Sequence, residues 1–436
     1  MFNTDKPIIN VSEDKFNRAN LANQIAGAIN AHNSDSSIVI GIDGPWGSGK
    51  TSFVNLIFSQ LEKLSEQKNE QVDHQIMMSF HPWMCGDSQQ MMLQFFLRLS
   101  EAINHYQESL ATSNKSDKLK KGFIKITSSL INIGKICVSL SSCFGMPGLR
   151  NYLEAGLEVA DRAIQAYGKD NDIAQNTNLE HQKDCINKLL KEHKIKLIIH
   201  IDDIDRLTDT ETRNVFQIVK ALADFHNTIY ILSFDRDLVA SALNKLHAGK
   251  GQAYLEKIIQ VPFEIPAINS DDINEIFAKM LYDITMRNVI NIDNKDWQKG
   301  LANGILNYLT TIRAINRFIN FFDLKYALLG RRVDLLDLIA ITTIQLFEPN
   351  LYSKIYKECN RLYADDEFTS KRIHFKIQGT DVELNDQRSA EAIIEFLFDS
   401  GYNIGNNSDE VRLENIGARI RNRDYFQQYF ELSYNF

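Results

Sequence analysis

The residues best suited to chemistry form one glycine-rich segment near the start of the chain. Gly44-Pro45-Trp46-Gly47-Ser48-Gly49-Lys50-Thr51 satisfies the pattern G-x-x-x-x-G-K-[ST] at every position, and Ser52 follows it. Glycines let successive backbone N–H groups turn toward phosphate oxygens, and a following helix adds its N-terminal dipole. We predict that Lys50 places its ammonium on the β- and γ-phosphates and that the Thr51 hydroxyl binds Mg²⁺. The whole segment, with Ser52, is the predicted nucleotide-binding loop.

Two adjacent acids predict a second part of the same site. Lys196-Leu197-Ile198-Ile199-His200-Ile201-Asp202-Asp203 is an apolar strand that ends in two carboxylates. A carboxylate at the end of a strand beside a phosphate loop can hold the water shell of magnesium, and we assign this role to Asp202. Asp203 could polarise an attacking water as general base. Arg206, just beyond, either pairs with a local acid or stabilises phosphate charge in a neighbouring subunit.

A third strand, 228–234, ends in Ser233, and Asp235 follows it. A polar side chain here can sense the γ-phosphate, and Asp235 can also cap the helix that follows; the two roles are compatible. Asn114-Lys115-Ser116-Asp117 matches the N-K-x-D pattern that reads guanine in GTPases. It lies before the strand that ends at Asp202, whereas in GTPases it follows that strand. We therefore expect the nucleotide to be ATP.

The elements that must position these residues alternate along the chain. Short apolar runs predict strands at 38–42, 75–80, 197–201, 228–234 and 258–263. Helical periodicity separates these runs, which predicts an α/β fold with a doubly wound, mostly parallel P-loop sheet of the ASCE type. A helical insertion and a C-terminal helical lid complete it. The predicted domains are an N-terminal arm and helix (1–35), the P-loop core (36–266) with its insertion (107–177), the helical lid (267–362) and a mixed C-terminal subdomain (363–436).

Composition excludes several classes of protein. The chain has 436 residues, 44% hydrophobic and 24% charged, so a mostly disordered, collagen-like or polytopic membrane protein is excluded. Its net charge of −8 gives no support for a dedicated nucleic-acid-binding domain. The five cysteines are widely spaced and form no C-x-x-C, which indicates reduced thiols. We expect a cytoplasmic protein.

The insertion leaves several interpretations open. Residues 115–125 are rich in lysine, and a weakly apolar stretch, 126–149, follows. Lys135 divides that stretch, so we do not expect it to span a bilayer. It predicts either a packed helix pair or an amphipathic helix at a surface. The lysines of 115–149 form a solvated face or attract anionic lipid or nucleic acid, so peripheral association with the inner membrane face stays open.

These blocks together resemble the KAP P-loop NTPases. The resemblance extends from the loop to the end of the chain, through Phe80-His81-Pro82-Trp83, Asp202-Asp203-Ile204-Asp205-Arg206, Ser233-Phe234-Asp235-Arg236, Tyr254-Leu255-Glu256-Lys257-Ile258-Ile259-Gln260, Arg313-Ala314-Ile315-Asn316-Arg317-Phe318-Ile319-Asn320 and Tyr425-Phe426-Gln427-Gln428-Tyr429-Phe430. It implies a Mg²⁺-dependent ATPase with an insertion between its two nucleotide motifs. It also implies that Arg313 is a sensor arginine on the lid that reaches the γ-phosphate.

Three functions fit these observations. The first is an ATP-driven assembly switch, in which Mg-ATP binds between core and lid and hydrolysis resets a homo-oligomer. Because bacterial members of the family occur in phage-defence systems, the resemblance implies a role there with a separate effector protein. The second is a nucleic-acid-stimulated motor or sensor that uses the insertion's lysines. The third is a membrane-associated scaffold that binds nucleotide with little turnover.

Overall fold

The computed structural model describes residues 3–66, 74–85, 88–110, 117–142, 178–246, 249–285, 302–329, 332–364, 375, 382–398 and 418–431. Most of the N-K-x-D segment, residues 143–177 of the predicted insertion and much of the predicted C-terminal subdomain lie outside these ranges. Contacts divide the chain into two compact units. The core unit is Pro7–Pro266, and the second unit combines Met1–Lys6 with Ala267–Phe436.

The core unit is built on a five-stranded parallel sheet, which confirms the predicted α/β fold. Its strands are β1 (Ile38–Asp43), β2 (His74–Phe80), β3 (Ile195–Ile201), β4 (Thr228–Phe234) and β5 (Val261–Glu264). Their spatial order is β2-β3-β4-β1-β5, and all neighbours run parallel. β4 therefore separates β1, which leads into the glycine-rich loop, from β3, which ends at the two acids. This order brings the carboxyl ends of β1, β3 and β4 to one edge of the sheet.

Helices cover both faces of the sheet, as its buried strands require. One face packs on α1 (Ala19–Ala31) and α2 (Lys50–Glu66). The other face packs on α3 (Ser88–Leu110), α4 (Asp117–Ser142), α5 (Leu179–Glu192), α6 (Asp209–Gln217), α7 (Arg236–Leu246) and α8 (Gly251–Ile258). Side chains alternate between the two cores along each strand, as Ile198 and Ile199 show. The sheet is thus doubly wound.

Helix α4, inside the predicted insertion, contributes to the core of the sheet. Its residues Phe123, Ile126 and Leu130 are buried in the same cluster as Phe95 and Phe96 of α3. The apolar face that could have entered a membrane surface is therefore used internally. Among the described helices, none combines the length and apolarity that crossing a bilayer takes.

The second unit is helical in its described residues. Its helices are α9 (Ser270–Thr285), α10 (Ala302–Leu306), α11 (Ile312–Leu329), α12 (Leu335–Phe347), α13 (Pro349–Ala364), α14 (Gln387–Phe398) and α15 (Arg423–Phe426). One hydrophobic cluster joins them. A buried ion pair fixes residue 419 to α12, because Arg419 Nε donates to the carboxylate of Asp337 at 2.8 Å.

The last strand is shorter than the sequence predicts. The apolar run from Ile258 predicts a strand there, but Ile258 is the last residue of α8 and β5 begins at Val261. Leu255 and Ile258 are both buried on one side of α8, so helical spacing rather than alternation determines their environment. The prediction was wrong for residues 258–260 for this reason.

Candidate nucleotide-binding site

The glycine-rich loop connects β1 to α2 at the carboxyl edge of the sheet. Gly47 and Gly49 have φ angles of 85° and 90°, a backbone region that favours glycine. The Ser48 hydroxyl is buried and has no hydrogen-bond partner among the described residues. A buried donor without a partner costs free energy, so this hydroxyl fits an oxygen-rich ligand held in the loop.

Lys50 already lies inside the loop. Its Nζ donates to the carbonyls of Gly44 at 2.8 Å and Pro45 at 3.3 Å, and lies 3.8 Å from the Asp205 carboxylate. The side chain is 9% exposed. An ammonium surrounded by carbonyl oxygens and one carboxylate is prepared for a stronger anion, and phosphate oxygens would supply it.

The residues predicted to hold Mg²⁺ are in direct contact. Thr51 Oγ1 donates to Asp202 Oδ2 at 2.6 Å, although 151 positions separate them. The other carboxylate oxygen of Asp202 accepts from the Asp203 backbone N–H at 2.9 Å. Hydroxyl and carboxylate oxygens are the ligands that Mg²⁺ prefers, so this pair fits the ion. Asp202 is 3% exposed, so its position is fixed by packing as well as by hydrogen bonds.

Asp203 projects from a left-handed backbone position, φ 58° and ψ 32°. Its carboxylate forms an ion pair with Arg206, whose Nε lies 2.8 Å from Asp203 Oδ1, so the local pairing considered for Arg206 is present. The Arg206 guanidinium also lies over two indole rings, at 5.5 Å from the centroid of Trp46 and 5.2 Å from that of Trp83. Burial raises the pKa of Asp203 and the Asp202 charge adds to this effect, whereas Arg206 opposes it.

The polar residues at the end of β4 have separate partners. Ser233 is fully buried, and its hydroxyl lies 2.9 Å from Nε2 of His200. Burial lowers the pKa of His200 to about 4, so the ring is neutral at neutral pH. Asp235 Oδ1 accepts from the backbone N–H groups of Asp237 and Leu238 and so caps α7. A nucleotide-binding role for Asp235 stays a prediction.

Sequence reasoning missed two contacts of this site. His81 comes directly after β2, and its ring lies with Asp202 and Asp203 so that one ligand atom of each is within 4.8 Å of the others. In the sequence, Phe80-His81-Pro82-Trp83 supports only the family resemblance and does not mark His81 as a neighbour of the two acids. Arg18, from the N-terminal arm, donates to the Ser48 carbonyl of the loop at 2.6 Å. No motif in the sequence marks Arg18, since its partner lies 30 positions away.

Comparison with known proteins identifies the family. The KAP family P-loop domain matches residues 18–329, which is most of the chain. The chain belongs to this family. The match extends from Arg18 through the loop, the two acids and the helix that carries Arg313. The core described above is therefore a KAP P-loop domain.

The individual proteins that resemble this KAP chain have low sequence identity to it. The phage T7 exclusion protein of Escherichia coli K12 is 27% identical over 366 residues, which cover 80% of this chain and 46% of that protein. The chain thus spans about half the length of this curated relative. Among solved structures, the Aeropyrum pernix ORC2 protein in its ADPNP-ADP complexes is 11% identical to this chain, with a TM-score of 0.34. The match covers 76% of this chain and 67% of the ORC2 chain. The ADP form of the same protein is 13% identical, with a TM-score of 0.34, and the match covers 78% of this chain and 70% of that protein.

The predicted sensor residue of the KAP chain lies in the second unit. Arg313 is near the start of α11, and its Nε is 3.3 Å from the Asp5 carboxylate. The N-terminal segment continues along the same helix, because Asn320 Nδ2 donates to the Asn3 carbonyl at 2.8 Å and its Oδ1 accepts from the Asn3 N–H at 2.7 Å. Asn316 adds a hydrogen bond to Asp5 at 3.2 Å. Arg313 therefore has an acidic partner within its own unit.

Proposed function

We propose that this KAP chain binds Mg-ATP, hydrolyses it, and uses the nucleotide state as an assembly switch in defence against phage. The observation that carries the proposal is the 2.6 Å contact between Thr51 and Asp202, beside a loop that already contains the Lys50 ammonium. This contact joins the two motifs that P-loop NTPases use for phosphate and metal.

Binding depends on the loop and on Thr51 and Asp202. Backbone N–H groups and the start of α2 bind the phosphates, and Lys50 exchanges its carbonyl partners for β- and γ-phosphate oxygens. The Ser48 hydroxyl is available for the same phosphates. Thr51 and Asp202 would hold Mg²⁺, which supplies charge neutralisation between the β- and γ-phosphates.

Hydrolysis depends on Asp203. Its pKa is raised by burial, and its carboxylate lies beside the metal-binding acid while facing Arg206. We propose that Asp203 accepts a proton from the attacking water, and that Arg206, held by Trp46 and Trp83, keeps the carboxylate in place. Arg313 is proposed to add positive charge at the γ-phosphate during transfer.

The switch follows from the difference between ATP and ADP. A ligand shifts an equilibrium only by its differential affinity for the two states, and the γ-phosphate supplies that difference. A homo-oligomer and a separate effector protein are the proposed partners. The phage-related role rests on the 27% identity with the phage T7 exclusion protein.

The first test is steady-state phosphate release with Mg-ATP, comparing the wild type with Asp203→Asn. Loss of a positioned general base lowers the rate by about 10²–10⁴-fold, with nucleotide affinity retained. Asp237→Asn is the matched control, because this exposed acid lies near the end of β4 but outside the site. Turnover that survives in Asp203→Asn would contradict the assignment of Asp203.

The same measurement separates the switch from a scaffold. A nucleotide-binding scaffold would bind ATP and release almost no phosphate in the wild type. A switch would show turnover and a mass, measured by light scattering, that differs between ATP and ADP. An unchanged mass in both nucleotides would exclude the assembly switch while leaving the ATPase intact.

A further inference from the structure

The N-terminal arm inserts one arginine beneath the phosphate loop. Arg18 is 8% exposed, and its guanidinium donates from Nη1 to the Ser48 carbonyl and from Nη2 to the Pro266 carbonyl, both at 2.6 Å. These two acceptors are 218 positions apart in sequence. Pro266 is the last residue of the core unit before the chain enters the second unit.

The Ser48 carbonyl belongs to a peptide whose other end is the Gly49 N–H, one of the loop donors proposed above to bind phosphate. In a trans peptide the C=O and the following N–H point in opposite directions. By holding the Ser48 oxygen, Arg18 turns the Gly49 N–H to the opposite side of that peptide. Gly49 has φ 90°, and a Cβ there would lie 3.1 Å from Arg18 Nη1, so the guanidinium also packs closely against this residue.

The arm that delivers Arg18 is itself fixed. The Asp14 carboxylate accepts from the backbone N–H groups of Phe16 at 3.1 Å and Ala19 at 2.8 Å. The Arg18 guanidinium lies 5.5 Å from the centroid of the Phe16 ring. Burial lowers the pKa of Arg18 while Asp14 raises it, and an arginine remains charged at neutral pH. A fixed, charged fork thus faces two carbonyls.

The segment that ends at Pro266 also contacts the first glycine of the loop. A Cβ on Gly44 would lie 2.7 Å from Cγ2 of Ile265, so only glycine allows this approach. Ile265 N–H donates to the Asp43 carbonyl at 2.8 Å, directly before the loop begins. The loop is therefore tied to the exit segment, Ile265–Pro266, at its start by packing and through its Ser48 carbonyl by Arg18.

We propose that Arg18 is a positioning residue that sets the Ser48–Gly49 peptide for phosphate binding and connects this peptide to the exit segment. The inference rests on the proposed nucleotide-binding function and deepens it. A phosphate that binds the Gly49 N–H would shift the rigid Ser48–Gly49 peptide. The Ser48 carbonyl would move with it and would displace the Arg18 guanidinium that donates to it. A displacement of Arg18 would act directly on the exit segment, because Nη2 of the guanidinium donates to the Pro266 carbonyl.

The test compares Arg18→Gln and Arg18→Lys with the wild type by calorimetric titration of ADP and AMP. Loss of a charge-assisted hydrogen bond that orders the loop should weaken ADP binding by about tenfold or more. The affinity for AMP should fall by less, so the ratio of ADP affinity to AMP affinity should be lower in Arg18→Gln than in the wild type. Lysine retains the charge but offers no fork, so its ratio should be intermediate. Arg98→Ala, an exposed arginine on α3, is the control and should change nothing.

Two further readouts distinguish positioning from simple destabilisation. Guanidinium ion added to Arg18→Ala should restore part of the ADP affinity, since it can reoccupy the same two carbonyls. Hydrogen exchange at the amides of residues 265 and 267 should slow in the wild type when ADP binds. In Arg18→Gln saturated with ADP, this slowing should be lost.

The outcomes are separable. An unchanged ratio of ADP to AMP affinity in folded Arg18→Gln would overturn the positioning role. A normal slowing of exchange at residues 265 and 267 in that variant would overturn the connection to the exit segment. Failure of the wild type to bind ADP would overturn the proposed function together with this role, and would be evident before any variant is compared.

Discussion

Both units of the molecule bury lysine side chains, and two of these, Lys50 in the core unit and Lys325 in the second unit, have different surroundings. Lys50 is 8% exposed and lies among main-chain carbonyls with Asp205 nearby. Lys325 in α11 is fully buried, donates to the Gln345 side-chain oxygen at 2.6 Å, and has Phe321 and Tyr352 rings within 6 Å. The surroundings of Lys50 are rich in hydrogen-bond acceptors and belong to the proposed ligand site. The surroundings of Lys325 consist of one side-chain amide and two aromatic rings.

The difference teaches how to separate function from stability in this chain. Burial lowers the pKa of Lys325 to about 7, because few groups around it favour its charge. Lys50, by contrast, has carbonyl oxygens and the Asp205 carboxylate around its ammonium, and these groups favour its charge. We therefore expect changes at Lys50 to alter binding with little effect on unfolding, and changes at Lys325 to do the reverse.

Lys50→Met should break the comparison most strongly. Truncating one partner of a buried charge contact costs about 2–5 kcal/mol, so nucleotide affinity should fall by a factor of about 10² or more. The free energy of unfolding without nucleotide should change by about 1 kcal/mol or less, because the loss of two hydrogen bonds to carbonyls and of the 3.8 Å contact with Asp205 is offset by relief from burying the ammonium. Lys63→Met, an exposed site on the same helix, is the control. Retained affinity in Lys50→Met would contradict the role of the loop.

Lys325→Met should have the opposite signature. Replacing a buried charge by an apolar side chain of similar length is often stabilising, and we expect the free energy of unfolding at pH 7 to rise by about 1–2 kcal/mol. Nucleotide affinity should stay unchanged. Urea unfolding monitored by circular dichroism measures the effect, with Lys279→Met on the exposed side of α9 as control. A loss of stability would show that the bond to Gln345 outweighs the burial of the charge.

The pH dependence of stability sharpens the same contrast. The pKa of Lys325 is about 7 in the folded chain and 10.5 in its unperturbed form, so the unfolded state binds more protons between these values. The contribution of this group to the free energy of unfolding therefore rises from pH 7 toward pH 10.5, and is lost as pH falls through 7. The advantage of Lys325→Met should shrink across this window. A constant advantage would mean that Lys325 keeps an ordinary pKa.

The smallest effect is expected at Arg313. Its pair with Asp5 is half-exposed, so Asp5→Asn should change stability by less than about 1 kcal/mol. If Arg313 serves the γ-phosphate, removing the competing carboxylate should raise phosphate release about two- to threefold. Arg313→Ala should lower it, and Asp283→Asn on α9 should leave it unchanged. Equal rates in all four proteins would remove Arg313 from the proposed mechanism.

Local signals in the sequence predicted the sheet and the loop. The apolar runs of β1, β3 and β4 are long and buried on both faces, so their type was predictable and their bounds nearly so. The proximity of Thr51 to Asp202 follows because the loop that leads to Thr51 begins after β1 and Asp202 follows β3, and both strands end at the same edge of a parallel sheet. These are properties of short windows and of a general topological rule.

Contacts between distant segments were not predictable in the same way. Arg18 lies in an arm with no motif, and its second acceptor is 248 positions away. Arg206 lies between Trp46 and Trp83 only because the loop and the end of β2 converge beside it. The Asp5–Arg313 pair joins residues that are 308 positions apart. Each requires the three-dimensional arrangement, which periodicity and spacing do not contain.

The clamp of Asn320 on Asn3 has a consequence for biosynthesis. The two residues are 317 positions apart, and ribosomes add about 5–20 residues per second, so Asn3 waits roughly 15–60 s for its helix. The last residue of the core unit, Pro266, is added 54 residues, or about 3–11 s, before Asn320. The acidic partner of Arg313 is therefore synthesised long before the helix on which it docks, and it cannot dock until the core unit has been synthesised.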